Sequence, residues 1–410
     1  MRILFLTNLY PPHELGGMEQ LCQEVVERFR ARGHSCHVLT SRFGVLSQPP
    51  AEEGITRVLH LQADIHHYRP LDFFLRRPWH ERANRHALRQ VVGTFQPDLI
   101  FIWGMWNLSS RLALCAEQWM AARVAYTVAS YWIIEPDADE AYWQHPASLA
   151  STQVLLAPAR WLALRALARE KRTHRLALEE VACVSQYVRD KLAAAGALPH
   201  GARVIYLGID ARPFAQAALD RSPHDEMRLV YTGGILPHKG VRTAIEALSV
   251  LGERGHAHDV HLSLIGGGHQ DYEARLRQRA GELGLGEQVS FRGRVPREQI
   301  PALLSGSDVF LFTSVWEEPL ARSVMEAMAA GLAVIGTAVG GQREILEDGA
   351  NCLVFEPGDA AGLAACIERV SRDPALRARL ALAGQKTVME RFTLEKMVDD
   401  LEIWLASLAK

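Results

Sequence analysis

Two carboxylates and one lysine carry the clearest chemical signal in the chain. The run Trp316-Glu317-Glu318-Pro319-Leu320-Ala321-Arg322-Ser323-Val324-Met325-Glu326 places Glu318 and Glu326 around what reads as a helix start, with Pro319 suited to its first position. Amides of a first helical turn lack intrahelical acceptors, so an anion can settle on them. Carboxylates on either side can accept hydrogen bonds from the hydroxyls of a sugar and a ribose, and the amides between can hold a diphosphate. A glutamate pair on a helix is more often a solvated face, but Glu326 lies within Val-Met-Glu-Ala-Met-Ala-Ala, which reads as buried, and a buried carboxylate needs partners. Lys239 stands just before another helix, at the end of Gly233-Gly234-Ile-Leu-Pro-His-Lys239-Gly240, where an anion would sit. Only six of the 45 basic side chains are lysines, so its placement is not compositional noise.

Two further glycine turns follow strands. Gly16-Gly17 precede the first helix, and Gly266-Gly267-Gly268 follow a later strand. Glycines let backbone approach a ligand closely, although each turn alone is weak evidence of a site.

The elements that would position these residues alternate strand and helix. Ile3–Thr7, His37–Thr40, Asp98–Trp103, Val124–Val128, Val181–Val184 and Arg203–Tyr206 read as strands, and the pattern restarts at Arg228–Thr232. His261–Ile265, Val289–Phe291, Val309–Thr313, Ala333–Gly336 and Cys352–Phe355 complete a second set, before a helical tail from Ala360. This predicts two tandem doubly wound α/β domains of Rossmann type, with ligands at the carboxyl ends of parallel strands and in the cleft between domains. The expected boundaries are an N-terminal acceptor-binding domain over 1–212, a linker over 213–227, a donor-binding domain over 228–390, and a terminal helix over 391–410 packing back toward the first domain.

Composition narrows the classes. A chain of 410 residues fits two cores of about 200 residues better than one. The formal net charge of −2 gives a nucleic-acid partner no global support. Six scattered cysteines show neither a CxxC pair nor zinc-ligand spacing, which suits a reducing cytoplasm. No apolar run reaches the roughly 18 to 20 residues of a membrane span. Two arginine-rich stretches, from His66 through Trp79 to Arg89 and from Leu155 to Arg175, interleave Phe, Trp and Leu. They suit either a solvated helix face or peripheral contact with a membrane.

In this order the motifs resemble glycosyltransferase family 4, retaining enzymes of the GT-B fold. The resemblance runs nearly end to end. It rests on Pro11, Pro12, Gly16, Gly17 and Glu19, on Tyr206-Leu-Gly-Ile-Asp210, on Lys239-Gly240, and on Val289-Ser-Phe-Arg-Gly293. It rests also on Gly340-Gly-Gln-Arg-Glu344-Ile and on two glutamates with seven residues between them, in whose register Glu318, not Glu317, pairs with Glu326. The resemblance implies a nucleoside-diphosphate-sugar donor, no cofactor and no catalytic metal, and an acceptor that is a small molecule, glycan or lipid-linked sugar. Glu318 would contact the donor sugar and Lys239 the leaving diphosphate. The amides of Leu320 and Ala321 would lie near the sugar and those of Arg322 and Ser323 near the diphosphate. Glu326 would hold the ribose, Gly293, Arg294 and Val295 would border the base, and Gly16 and Gly17 would approach the phosphate. Gly234 stands where relatives carry an arginine, Ala129 where they carry a histidine, and Leu320-Ala321 replace Phe-Gly. Arg322 is a candidate substitute for the missing arginine, or else a solvent-facing helix residue. A non-catalytic nucleotide-sugar-binding protein and a sugar-nucleotide isomerase or phosphorolytic enzyme are the alternatives.

Overall fold

The computed structural model describes residues 1–45, 52–65, 67–145, 150–219, 226–255 and 260–409, with backbone only over 150–155. The chain divides into two compact units. The first comprises Met1–Val184, Val188–Ile205 and Val398–Lys410, and the second Ser185–Tyr187 and Tyr206–Met397.

The first unit is built on β1 (Arg2–Thr7), β2 (Ser35–Ser41), β3 (Ile55–Leu59), β4 (Leu99–Gly104), β5 (Val124–Val128), β6 (Glu180–Cys183) and β7 (Arg203–Val204). They form one sheet in the order β3-β2-β1-β4-β5-β6-β7, with every pairing parallel. Helices cover both faces of such a sheet, which is why β1 reads as an unbroken apolar run and is buried from Ile3 to Thr7. Trp404 belongs to this unit. It is 1% exposed, packs edge-on to Phe101, donates from Nε1 to Glu180 Oε2 at 2.9 Å, and lies under the Arg203 guanidinium.

The second unit holds β8 (Met227–Thr232), β9 (Val260–Ile265), β10 (Val289–Gly293), β11 (Val309–Phe312), β12 (Ala333–Gly336) and β13 (Leu353–Val354). Their order is β10-β9-β8-β11-β12-β13, again all parallel. Leu229, Leu262, Val309 and Ile335 join Ile245, Leu248, Leu363 and Ile367 of two covering helices in one core. From β8 the chain winds outward to one edge through β9 and β10. It then returns to β11 beside β8 and winds to the other edge. The carboxyl ends of β8 and β11 therefore flank the point of reversal, where an open α/β sheet leaves a crevice.

The expected boundaries shift. The second unit begins at Tyr206, not after 212, because the segment read as a linker carries a helix, Arg212–Leu219, whose Phe214 is buried. Residues 220–225 of that segment, Pro223 among them, lie outside the described residues, as does His66 of the first arginine-rich stretch. The helical tail is three helices, Ala360–Arg372, Pro374–Arg391 and Leu394–Leu408. β3 and the helix Arg77–Phe95 add elements that the strand reading passed over.

Two outcomes follow for the first unit. Trp404→Ala should cost about 3–5 kcal/mol, read as a lowered melting midpoint of the full chain. Asp139 is buried, and desolvation holds its carboxyl up at about 6 despite the Arg77 guanidinium 3.2 Å away. Between the unfolded value and about 6 the folded state keeps the extra proton, so this group's contribution to stability falls as pH rises through that window. Melting midpoints of wild type and Asp139→Asn at pH 4.5 and 7 should show that component lost in the variant.

Candidate functional site

At the reversal point of the second sheet, Lys239 and Glu318 form an ion pair. Lys239 ends a short 3-10 turn after β8, Pro237–Lys239, and Glu318 lies in the loop after β11. Glu318 is 6% exposed, and its Oε1 also accepts from Ser314 Oγ at 2.9 Å. The two loops are laced together. Thr313 Oγ1 donates to Lys239 O at 2.8 Å, and Val315 N donates to His238 O at 2.9 Å. The contact demands a glycine at 240. Its φ is +67°, and a Cβ there would lie 1.9 Å from Thr313 O. The Lys239 ammonium lies 5.7 Å from the Trp316 ring centroid, so the cation has an aromatic wall as well as a carboxylate.

Pro319 does not open the helix. The helix spans Arg322–Ala329, with Ala321 at its N-cap. The reason lies in Gly340-Gly341, which press against the loop ahead of it. Gly341 N donates to Glu318 O at 2.8 Å, and Ser185 Oγ donates to Pro319 O at 2.7 Å. A Cβ at Gly340 would lie 2.3 Å from Glu318 O, and one at Gly341 1.8 Å from Pro319 O. These bonds hold Glu318-Pro319 as a non-helical strap and carry the Glu318 carboxylate to Lys239. Ala321 has no side-chain oxygen to cap the helix, so the first-turn amides of Arg322, Ser323 and Val324 receive no capping side chain from it. Arg322 is buried, which removes the solvent-facing alternative for it.

Glu326 is 5% exposed in the second turn, as its apolar neighbours predict. Its partner is Arg297, whose Nη2 donates to Glu326 Oε1 at 2.7 Å. Arg297 was missed in the sequence. The available signal was the requirement that a buried carboxylate find a cation, but spacing along the chain does not say which of many arginines supplies it. This pair ties the helix to the segment after β10, where Arg294 and Val295 follow Gly293 at the strand end. The glycine turns stack beside it. Gly266 N donates to Gly293 O at 2.8 Å, and a Cβ at Gly266 would lie 1.8 Å from Gly233 O. Tyr231 hydroxyl donates to Gly234 O at 2.8 Å, and burial pushes that phenol above its usual range.

Glu317 is accounted for separately. The Tyr187 phenol is pushed up to about 12 by burial and by its hydrogen bond to Glu317. Glu318, Glu326, Lys239, Leu320, Ala321, Arg322, Ser323, Gly234, Gly293, Arg294 and Val295 all belong to the second unit. Gly16, Gly17 and Ala129 belong to the first. Gly16 N donates to Glu19 Oε2 at 3.0 Å, so Glu19 satisfies the N-cap amide at the start of the helix Gly17–Ala31. The arrangement in the second unit presents a cation, a helix start and two anchored carboxylates on one strand-end surface, which suits a polyhydroxylated diphosphate ligand. Arg297→Ala should strand Glu326 and lower the melting midpoint, by a stability loss of about 3 kcal/mol. Arg297→Lys should recover part of it.

Two family models match the chain, Glycosyltransferase Family 4 over residues 15–212 and Glycosyl transferases group 1 over residues 217–387. The lipopolysaccharide core biosynthesis glycosyltransferase LpsE of Rhizobium meliloti is 33% identical over 192 residues, 47% of this chain and 53% of that protein. The 2-deoxystreptamine glucosyltransferase of Streptomyces kanamyceticus is 34% identical over 162 residues, 40% of this chain and 41% of that protein. The chain thus spans about half the length of these curated relatives. Among solved structures, Anabaena HepE in complex with UDP superposes with a TM-score of 0.70 at 22% identity, over 99% of this chain and 100% of that one. Sucrose-phosphate synthase from Thermosynechococcus elongatus does so with a TM-score of 0.74 at 22% identity, over 100% and 99%. These superpositions show the tandem Rossmann-like GT-B fold. Matched by family models through both halves, with the motif glutamates and lysine gathered at one strand-end site, the chain belongs to glycosyltransferase family 4.

Proposed function

We propose that the protein transfers a sugar from a nucleoside-diphosphate sugar to an acceptor hydroxyl, with retention of configuration, in the synthesis of a glycan, glycolipid or cell-surface polysaccharide. The observation that carries this reading is the Lys239–Glu318 pair at the reversal point of the second sheet. A diphosphate arriving there exchanges one anionic partner of Lys239 for another. Ser314 stays on Glu318, which becomes an acceptor for sugar hydroxyls. Charge on the leaving diphosphate grows as the glycosidic bond breaks, and a fixed ammonium and helix start stabilise that charge more than the ground state. Glu326, oriented by Arg297, offers its second oxygen to ribose hydroxyls. No residue in this scheme requires a metal. HepE, similar in fold, is solved with UDP and with UDP-glucose, and the relatives LpsE and AmsK of Erwinia amylovora are named for lipopolysaccharide core and amylovoran biosynthesis, which supports the donor and acceptor classes.

Gly234 leaves the site one cation short. Its position tolerates a side chain, since a Cβ would meet only the Leu236 side chain, at 3.4 Å and beyond, unlike its neighbours at 240, 266 and 268. Gly234 and Ala129 favour one competing reading, binding without turnover. A melting-temperature panel of nucleoside diphosphates and their sugars identifies the base, because a ligand that binds only the folded chain raises its midpoint. With that donor, Glu318→Ala and Lys239→Ala should each abolish transfer while the variants still melt cooperatively. Near wild-type turnover in either refutes the assignment, and binding without turnover in wild type with every acceptor favours the competing reading. Gly234→Arg should tighten nucleoside-diphosphate binding by about 1.5–3 kcal/mol, measured by calorimetry.

A further inference from the structure

The two ion pairs of the second unit's site, Lys239 with Glu318 and Arg297 with Glu326, are each neutral. The diphosphate of a nucleotide sugar carries two negative charges. Arg322 and the helix start offset part of that charge, and Gly234 offsets none of it. One further group on the same turn can gain a positive charge. His238 stands directly before Lys239 on Pro237–Lys239. Its ring meets the Trp316 ring edge to face, with centroids 5.9 Å apart, and the Lys239 ammonium lies 5.7 Å from that same indole centroid. The two basic groups thus share one aromatic neighbour, which sets both of them beside Glu318.

The backbone of His238 is fixed from the loop after β11. His238 O accepts from Val315 N at 2.9 Å and from Ser314 Oγ at 3.2 Å. Its side chain is exposed, and no group among the described residues hydrogen-bonds the ring. Desolvation and the neighbouring Lys239 hold the imidazole below its ordinary value, while Glu318 acts against them. Lys239 and Glu318 are the charged groups that act on the ring, and the free site therefore carries a neutral imidazole at neutral pH. A dianion settling on Lys239 reverses the balance, because a nearby negative charge favours the imidazolium. Packing against Trp316 is the other role open to the ring, and that role does not depend on its charge.

We propose that His238 is a second cation of the diphosphate site. A ring nitrogen takes one proton from solvent as the donor binds, and the imidazolium then shares the two negative charges with Lys239 beside the Trp316 ring. This rests on the reading of the surface as a nucleotide-sugar donor site. The test is calorimetric titration of the full chain with UDP-glucose, GDP-glucose and ADP-glucose, whose diphosphates do not titrate near neutral pH. Affinity for the donor that binds should rise about fivefold or more from about pH 8 to about pH 6, with proton uptake read from buffers of differing ionisation enthalpy. His238→Gln should lose that rise, and His238→Arg, with its fixed charge, should bind tightly at both pH values. Both variants should melt cooperatively. A wild type without the rise overturns the proposal and leaves the donor reading standing. So does a rise that persists in His238→Gln, or a loss in that variant that is equal at both pH values, as packing alone would give. Failure of the wild type to bind any of the three sugars at either pH overturns the proposal together with the donor reading.

Discussion

The ion pair between Lys239 and Glu318 is the constraint around which the second unit is arranged. Glu318 is almost wholly buried, and a carboxylate in that position is costly without a cation and a hydrogen-bond donor. Lys239 and Ser314 supply both. For the pair to form, β8 and β11 must lie side by side, their loops must interlock through Thr313 and Val315, and residue 240 must be a glycine. Sheet order, turn chemistry and site charge thus specify one another. The pair also keeps the cation paired before a ligand arrives, and Lys239 remains partly exposed, so an incoming anion can share it.

A second buried carboxylate repeats the logic. Glu326 is held by Arg297 from the loop after β10, as Glu318 is held by Lys239 from the loop after β8. One short helix with its preceding strap is therefore fixed at both carboxylates by cations from separate strand ends. The glycines at 266, 268, 340 and 341 serve this closeness, since a Cβ at any of them would lie within 2.3 Å of a backbone oxygen. Ion pairing fixes the two carboxylates, and glycine gives the loops room to close on them.

Much of this was legible in the sequence. Strand positions such as Val124–Val128 and Ala333–Gly336 follow from apolar runs bounded by turns, because strands buried on both faces tolerate little else. The burial of Glu326 was also readable. Pro319 misled because proline at a helix start is a local preference, whereas the strap is held by Gly340, Gly341 and Ser185 from distant parts of the chain. Arg297 stayed hidden for the same reason, since nothing local distinguishes it from Arg292 or Arg294. The segment 213–227 read as a linker because of its two prolines and mixed charges, yet it carries most of the helix Arg212–Leu219, which packs within the second unit through one buried aromatic, Phe214.

A structure of the chain with the nucleoside diphosphate it binds best tests the central claim most directly. The diphosphate should sit at the start of the helix Arg322–Ala329 with Lys239 Nζ on one of its oxygens, and a ribose hydroxyl should reach the Glu326 oxygen that Arg297 leaves open. A diphosphate bound elsewhere, with Lys239 still locked to Glu318 and Glu326 out of reach of the ribose, would contradict it.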